Sequence, residues 1–266
     1  MNLEALKTAV TKAGERLGEG VLAVGFKSLI GGEELFHNAG HVFPAASIVK
    51  VPILLEYLRQ KEAGRLKEDH VVPLREEDVV GGAGILMEMH RGIPLTLQDL
   101  ARLMIVISDN TASNVMLDVV GMDEVNAFMK SLGLADTVIG RKFMIDPNAK
   151  FSKNFTSARD MTKLMEMLYR GEALPEKSTR EALDILSRQQ YREKIPLLLP
   201  PKLRICHKTG EITGVRHDCA IVMHEGAPYV LCVLTEMLPD VITADRVIAG
   251  LSLEFYRQAE SSAAIR

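Results

Sequence analysis

Ser47-Ile48-Val49-Lys50, Ser108-Asp109-Asn110 and Lys208-Thr209-Gly210 occur in that order along the chain. These residue types suit acyl transfer. A serine hydroxyl attacks a carbonyl only when a base takes its proton. Lys50 follows Ser47 at i+3, so a helix there puts both on one face. A lysine serves as the base once burial and a neighbouring cation lower its pKa. If Ser47 starts the helix, the helix dipole stabilises negative charge developing on the attacked group. Ser108 offers a second hydroxyl to relay a proton, and Asn110 a carboxamide for a substrate hydrogen bond. Lys208, pointing into a cleft beside Ser108, would attract an anionic substrate and help deprotonation. Gly210 would let substrate backbone approach the strand edge.

Each motif also has a plain structural use. Ser-x-x-Lys turns up about once by chance in a chain of this length, as a helix cap with a solvated lysine. Ser-Asp-Asn suits a helix-to-helix turn, and Lys-Thr-Gly suits a strand end. The weight comes from the set, since each three-residue match has a chance rate of only about 0.03 per chain.

For the three to meet, separate elements must carry them to one place. Leu3, Leu6, Ala9, Val10 and Ala13 have helical spacing over residues 2–17. Residues 21–29 and 34–38 read as a hairpin around Gly31-Gly32. From 46 to 190 the pattern is mainly helical: 47–62, 96–107 with Thr96 and Asp99 as a capping box, 111–120, 123–132, 156–169 and 178–189. Pro52 is tolerable near the first turn of its helix. Strands return at 203–209, 219–224 and 229–236, and a helix over 244–260 ends the pattern. The two ends of the chain are therefore expected to complete one antiparallel sheet covered by terminal helices. The helical block carries the first two motifs, the sheet carries the third, and a cleft between them is the expected site.

Composition narrows the function classes. The chain has 266 residues, 47% hydrophobic and 25% charged, with a formal net charge of -3. That argues against a nucleic-acid partner. No apolar run is long enough to span a membrane, and the charged residues among 1–19 argue against a secretory leader there. The expected compartment is the cytoplasm. Cys206, Cys219 and Cys232, an odd count in apolar strand-like context, read as buried free thiols and not as a disulfide framework. Seven histidines show no metal-like cluster; His224-Glu225 lacks the second histidine of a zinc-protease helix. His207 should point to the face opposite Lys208, and His217 or Asp218 could line the cleft. No metal or cofactor is expected, and the expected partner is a small anionic molecule with an acyl group to transfer.

The three motifs resemble those of the penicillin-recognising serine hydrolases, the class A β-lactamases and related penicillin-binding proteins. The likeness covers about residues 20–260. Ser108 to Asn114 is similar to the start of a class A helix, and Thr156 to Leu164 to the helix after the family's omega loop. The resemblance implies an α/β (α+β) fold: a five-stranded antiparallel sheet flanked by helices, plus an all-helical lobe, with the active site in the cleft between them. It implies a single domain over 1–266, with a sheet lobe at about 1–45 and 191–266 and a helical lobe at about 46–190. It makes Ser47 the acylated nucleophile, Lys50 its base, Ser108 the proton donor to the leaving nitrogen and Asn110 an amide binder. Lys208, Thr209 and Gly210 hold the substrate, with Arg216 of Gly214-Val215-Arg216 as a further carboxylate ligand. The backbone N–H groups of Ser47 and Glu211 form the implied oxyanion hole.

One departure concerns release of the acyl group. The family's omega loop carries a glutamate that activates the deacylating water. Here the loop spans 141–154 and contains no glutamate, and the glutamate's place falls on Phe143. The loop's closing aspartate falls near Asn154. Asp146, in an Asp-Pro turn signal, is the loop's single carboxylate and a candidate substitute base. The implied activity is slow β-lactam hydrolysis or hydrolysis of a related amide or ester. Alternatives are a carboxylesterase, a D-peptidase-like hydrolase, or a β-lactam-binding sensor without turnover.

Overall fold

The computed structural model describes residues 1–144 and 153–265. Asn2 caps the first helix, α1 (Leu3–Arg16), its side-chain oxygen accepting from the Ala5 N–H. Strands β1 (Val21–Ser28), β2 (Glu34–His37) and β3 (Val42–Pro44) follow. A 3-10 turn, Ala46–Val49, leads into α2 (Lys50–Glu62). The helical block then holds β4 (Val71–Pro73), β5 (Pro94–Thr96), α3 (Leu97–Val106), α4 (Asn110–Val120), α5 (Met122–Ser131), β6 (Phe155–Ser157), α6 (Ala158–Arg170) and α7 (Glu176–Ser187). Strands β7 (Ile205–Ile212), β8 (Val215–Val222) and β9 (Tyr229–Glu236) return to the sheet before α8 (Val241–Ile265). Among the described residues no helix is long and apolar enough to cross a membrane.

The expected α+β architecture is present, with a five-stranded antiparallel sheet in the order β2-β1-β9-β8-β7. Strands β1 and β9 are covered on both faces, so they read as near-continuous apolar runs. On one face Val24, Phe26 and Val233 share a core with Leu6 and Val10 of α1 and Phe255 of α8. On the other, Ala23, Cys219 and Cys232 join the core of the helical block. α6 presses on this face over Gly25. A Cβ there would lie 2.1 Å from Thr162 Oγ1 and 2.9 Å from the Ala158 carbonyl oxygen, so only glycine allows the approach.

Three expectations are altered. The segment 47–62 is a 3-10 turn joined to an α-helix, which leaves Pro52 in the first turn of α2, where its missing N–H costs no helix bond. The helix expected from Thr156 begins at Ala158. Thr156 pairs with Phe43 in β6–β3, and Ser157 is the cap, accepting from the Asp160 N–H. Strand β8 starts at Val215, not Cys219. Its polar Arg216-His217-Asp218 stretch obscures the strand pattern. Tertiary partners satisfy it: Asp218 Oδ1 faces His207 Nδ1 at 3.0 Å and His217 Nε2 faces the Pro44 carbonyl at 2.9 Å. The Thr96–Asp99 capping box forms as expected.

Candidate active site

Ser47 stands in the 3-10 turn and lines a cavity of about 290 Å³ with Ala46, Gly82, Asn110, Phe143 and Glu211. Ala46, just before it, has φ 46°, and Ser108 has φ 56°. Left-handed backbone is costly for both residues; Ala46 precedes the candidate nucleophile and Ser108 is the candidate relay.

Lys50 begins α2 and is fully buried. Its Nζ donates to the Ser108 carbonyl at 2.6 Å, to Asn110 Oδ1 at 2.8 Å and to Ser108 Oγ at 3.2 Å. Lys208, equally buried on β7, donates to the same Ser108 Oγ at 3.1 Å and to the Thr209 carbonyl at 2.8 Å. One hydroxyl thus bridges two lysines that arrive from different parts of the chain. All the hydrogen-bond acceptors of Lys50 are uncharged. Burial, reinforced by repulsion from Lys208, holds its pKa well below the usual lysine value, with Asp109 opposing. Burial likewise brings Lys208 down to about 7, although Asp218 favours its charge. A lysine amine held below its usual pKa suits a general base, while Lys208 keeps a cation available on the acid side of neutrality.

The Gly-rich segment before α3 is pinned onto the second motif. The Asn110 N–H donates to the Ala83 carbonyl at 2.9 Å and Asn110 Nδ2 to the Gly81 carbonyl at 3.1 Å. Asp109 Oδ2 accepts from the Ile85 and Leu86 N–H groups. Asn110 therefore lines the cavity with its oxygen given to Lys50 and one amide proton committed, leaving the other for a ligand.

Register decides the remaining candidates. Side chains alternate along β7, so Thr209 and Glu211 point to the face opposite Lys208. Thr209 is buried and lies outside the cavity lining, contributing its carbonyl to Lys208. Arg216 pairs in register with Glu211, and so shares that opposite face. Its guanidinium donates to the Ile212 and Val215 carbonyls and lies 3.6 Å from Asp245. These contacts hold it outside the residues that line the cavity with Ser47. At Gly210 a Cβ would meet Ile48 and Ala46 at 3.1–3.2 Å. Its missing side chain accommodates the turn that carries Ser47. His217 and Asp218 are fully buried away from the cavity lining.

Two features were hidden from the sequence. Lys194, completely buried, forms an ion pair with Glu211 and holds the β7 end of the cavity. Burial disfavours its charge, but Glu211 together with Asp218 and Asp245 outweighs that and its pKa is raised. No local pattern links residues 194 and 211. The second is the position of Phe143. Asn114 clamps its backbone, accepting from the Phe143 N–H at 2.7 Å and donating to its carbonyl at 2.9 Å. The ring then lies 4.6 Å from Lys50 Nζ. Asn154 Oδ1 accepts from the Gly140 and Arg141 N–H groups, so a side-chain amide closes the loop there onto the backbone. Asp146 lies outside the described residues. Among the described residues no cluster of ligands suited to a metal ion occurs.

Comparisons with known proteins agree with this architecture. The profile of the beta-lactamase enzyme family matches residues 4–259. Beta-lactamase L2 of Stenotrophomonas maltophilia is 30% identical over 240 residues, covering 86% of this chain and 78% of the relative. The crystal structure of a beta-lactamase from Sphaerobacter thermophilus superposes with a TM-score of 0.92 at 31% identity, covering 98% of each chain. An acyl-enzyme complex of a PBP-A point mutant with penicillin G has a TM-score of 0.89 at 29% identity, covering 98% of this chain and 97% of that one. The chain belongs to the beta-lactamase enzyme family of serine hydrolases.

Proposed function

We propose that Ser47 is acylated by small-molecule amides or esters bearing a carboxylate, β-lactams among them, and that the acyl-enzyme is hydrolysed slowly. The observation that carries this reading is Ser108 Oγ held between Lys50 Nζ and Lys208 Nζ, both buried. In this reading neutral Lys50 takes the Ser47 proton as Oγ attacks the carbonyl. The N–H groups of Ser47 and Glu211 receive the oxyanion. The proton then passes through Ser108 to the leaving nitrogen or oxygen, and Lys208 and Asn110 orient the substrate. The acyl-enzyme named for the PBP-A mutant supports covalent chemistry in a related fold. Slow release is supported by Phe143, an aromatic ring beside Lys50 that can neither orient nor deprotonate a water.

The deciding experiment is intact-protein mass spectrometry after exposure to penicillin G. Wild type is expected to gain the mass of the whole penicillin on Ser47, and Ser47→Ala to gain nothing. Absence of an adduct with penicillin and with activated esters alike would overturn the reading. The same Phe143 ring favours a second reading, a sensor that acylates without turnover. An adduct that persists for hours with no released product would select it.

The pH profile tests the two lysines. With its pKa near 7, Lys208 is cationic below that value and loses its charge above it. The second-order acylation constant for an anionic β-lactam is therefore expected to fall as pH rises through about 7. For a neutral ester the fall should be much smaller. Such constants report groups of the free enzyme. Identical profiles for both probes would remove Lys208 from carboxylate recognition.

A further inference from the structure

Lys208, Cys219, Cys232 and Gly25 lie in one row across β7, β8, β9 and β1. The two cysteines are direct cross-strand neighbours, both fully buried in the core shared with the helical block. Backbone hydrogen bonds fix the kind of pair they make. The Leu29 N–H donates to the Pro228 carbonyl at 2.9 Å, continuing the β1–β9 ladder. Hydrogen-bonded pairs alternate along an antiparallel ladder, so Gly25 and Cys232 are also hydrogen-bonded. The N–H and C=O of Cys232 thus face β1, away from β8. From the other side, β7 and β8 join through the two-residue turn Thr213-Gly214, flanked by the pair Ile212 and Val215. Such a flanking pair is hydrogen-bonded, and alternation makes Lys208 and Cys219 hydrogen-bonded too. Both routes leave Cys219 and Cys232 as a non-hydrogen-bonded pair. The Cα atoms of such pairs are about 4.5 Å apart, within the span of about 4.4–6.8 Å that a disulfide bridges.

We propose that Cys219 and Cys232 are a dithiol–disulfide pair that closes across β8 and β9 in the presence of a low-molecular-weight disulfide oxidant. One thiolate attacks the oxidant and forms a mixed disulfide, releasing one small thiol. The second cysteine displaces the other small thiol and closes the Sγ–Sγ bond. The two cysteine protons and two electrons end on the two released thiols. Burial pushes the Cys219 thiol pKa up, which suppresses the thiolate in the folded sheet. The bond therefore forms as the hairpin assembles or opens. Cys206 stands outside the pair. Its register partner is Ile221, its Sγ contacts the Leu183 carbonyl at 3.2 Å, and it is diagonal to Cys219, at a typical Cα separation of about 7–8 Å that no disulfide spans.

The test is to refold the reduced full-length chain with a mixture of reduced and oxidised glutathione, isolate the folded fraction, denature it and alkylate. One thiol should react, the mass should be about 2 Da lower before alkylation, and peptide mapping should join Cys219 to Cys232. The thermal midpoint should lie roughly 5 °C above that of the reduced protein, and dithiothreitol should reverse it. Cys206→Ala should still oxidise, and Cys219→Ala should keep both remaining thiols free. Three alkylated thiols in oxidised wild type, a bond involving Cys206, or a midpoint that does not rise would overturn the proposal.

Discussion

Replacing Lys50 by methionine is expected to slow acylation of Ser47 by about 10²–10⁴-fold, the usual contribution of a positioned general base. The fold should survive. Lys50 is fully buried, and methionine has similar length without the cost of desolvating an amine. Against that gain stand the Ser108 carbonyl and Asn110 Oδ1, which lose their donor. An unsatisfied buried acceptor costs about 1–3 kcal/mol, while removing a buried polar amine returns a similar amount. The thermal midpoint should therefore move by only a few degrees. Adduct formation followed by mass spectrometry, with circular dichroism on the same samples, separates the two effects. A loss below tenfold in a folded variant would remove Lys50 from the role of base.

Replacing Phe143 by glutamate is expected to raise steady-state turnover of a chromogenic cephalosporin by about 10²-fold or more. Asn114 holds the backbone of residue 143 by two hydrogen bonds, and these do not depend on the side chain. A carboxylate there would lie beside Lys50 and line the cavity, in reach of a water approaching the acyl group. The same carboxylate would favour the charged form of Lys50. Acylation should then need a higher pH than in wild type, even as deacylation speeds up. Losing the buried ring should cost roughly 2–4 kcal/mol of stability. Phe143→Gln carries that loss without a base, so burst kinetics of the two variants isolate the chemistry. If both leave the slow phase of wild type unchanged, release is not limited by the group at position 143.

Much of this site was legible because its signals are local. Thr96 and Asp99 form a capping box within one turn, and β9 follows its apolar run from Tyr229 to Glu236. Where local and long-range forces disagreed, the reading slipped. The Arg216-His217-Asp218 stretch looked unlike a strand because its partners, His207, Pro44 and Asp245, are distant in sequence. Arg216 looked suited to a substrate carboxylate. Register sets Arg216 beside Glu211, and the Ile212 and Val215 carbonyls and Asp245 hold its guanidinium, partners that no local pattern announces.

The groups proposed to attack are written in the chain order: a serine at i, a lysine at i+3, and a hydroxyl and a second lysine carried in fixed motifs. Those identities are covalent facts, and no fold can supply them. Packing sets the state they are in. Burial of Lys50 and Lys208 around one Ser108 hydroxyl depresses both amines, and desolvation is a property of everything packed around a group. Packing also turns Phe143 toward Lys50 and ties Glu211 to Lys194, because contacts between remote residues exist only once the chain has folded.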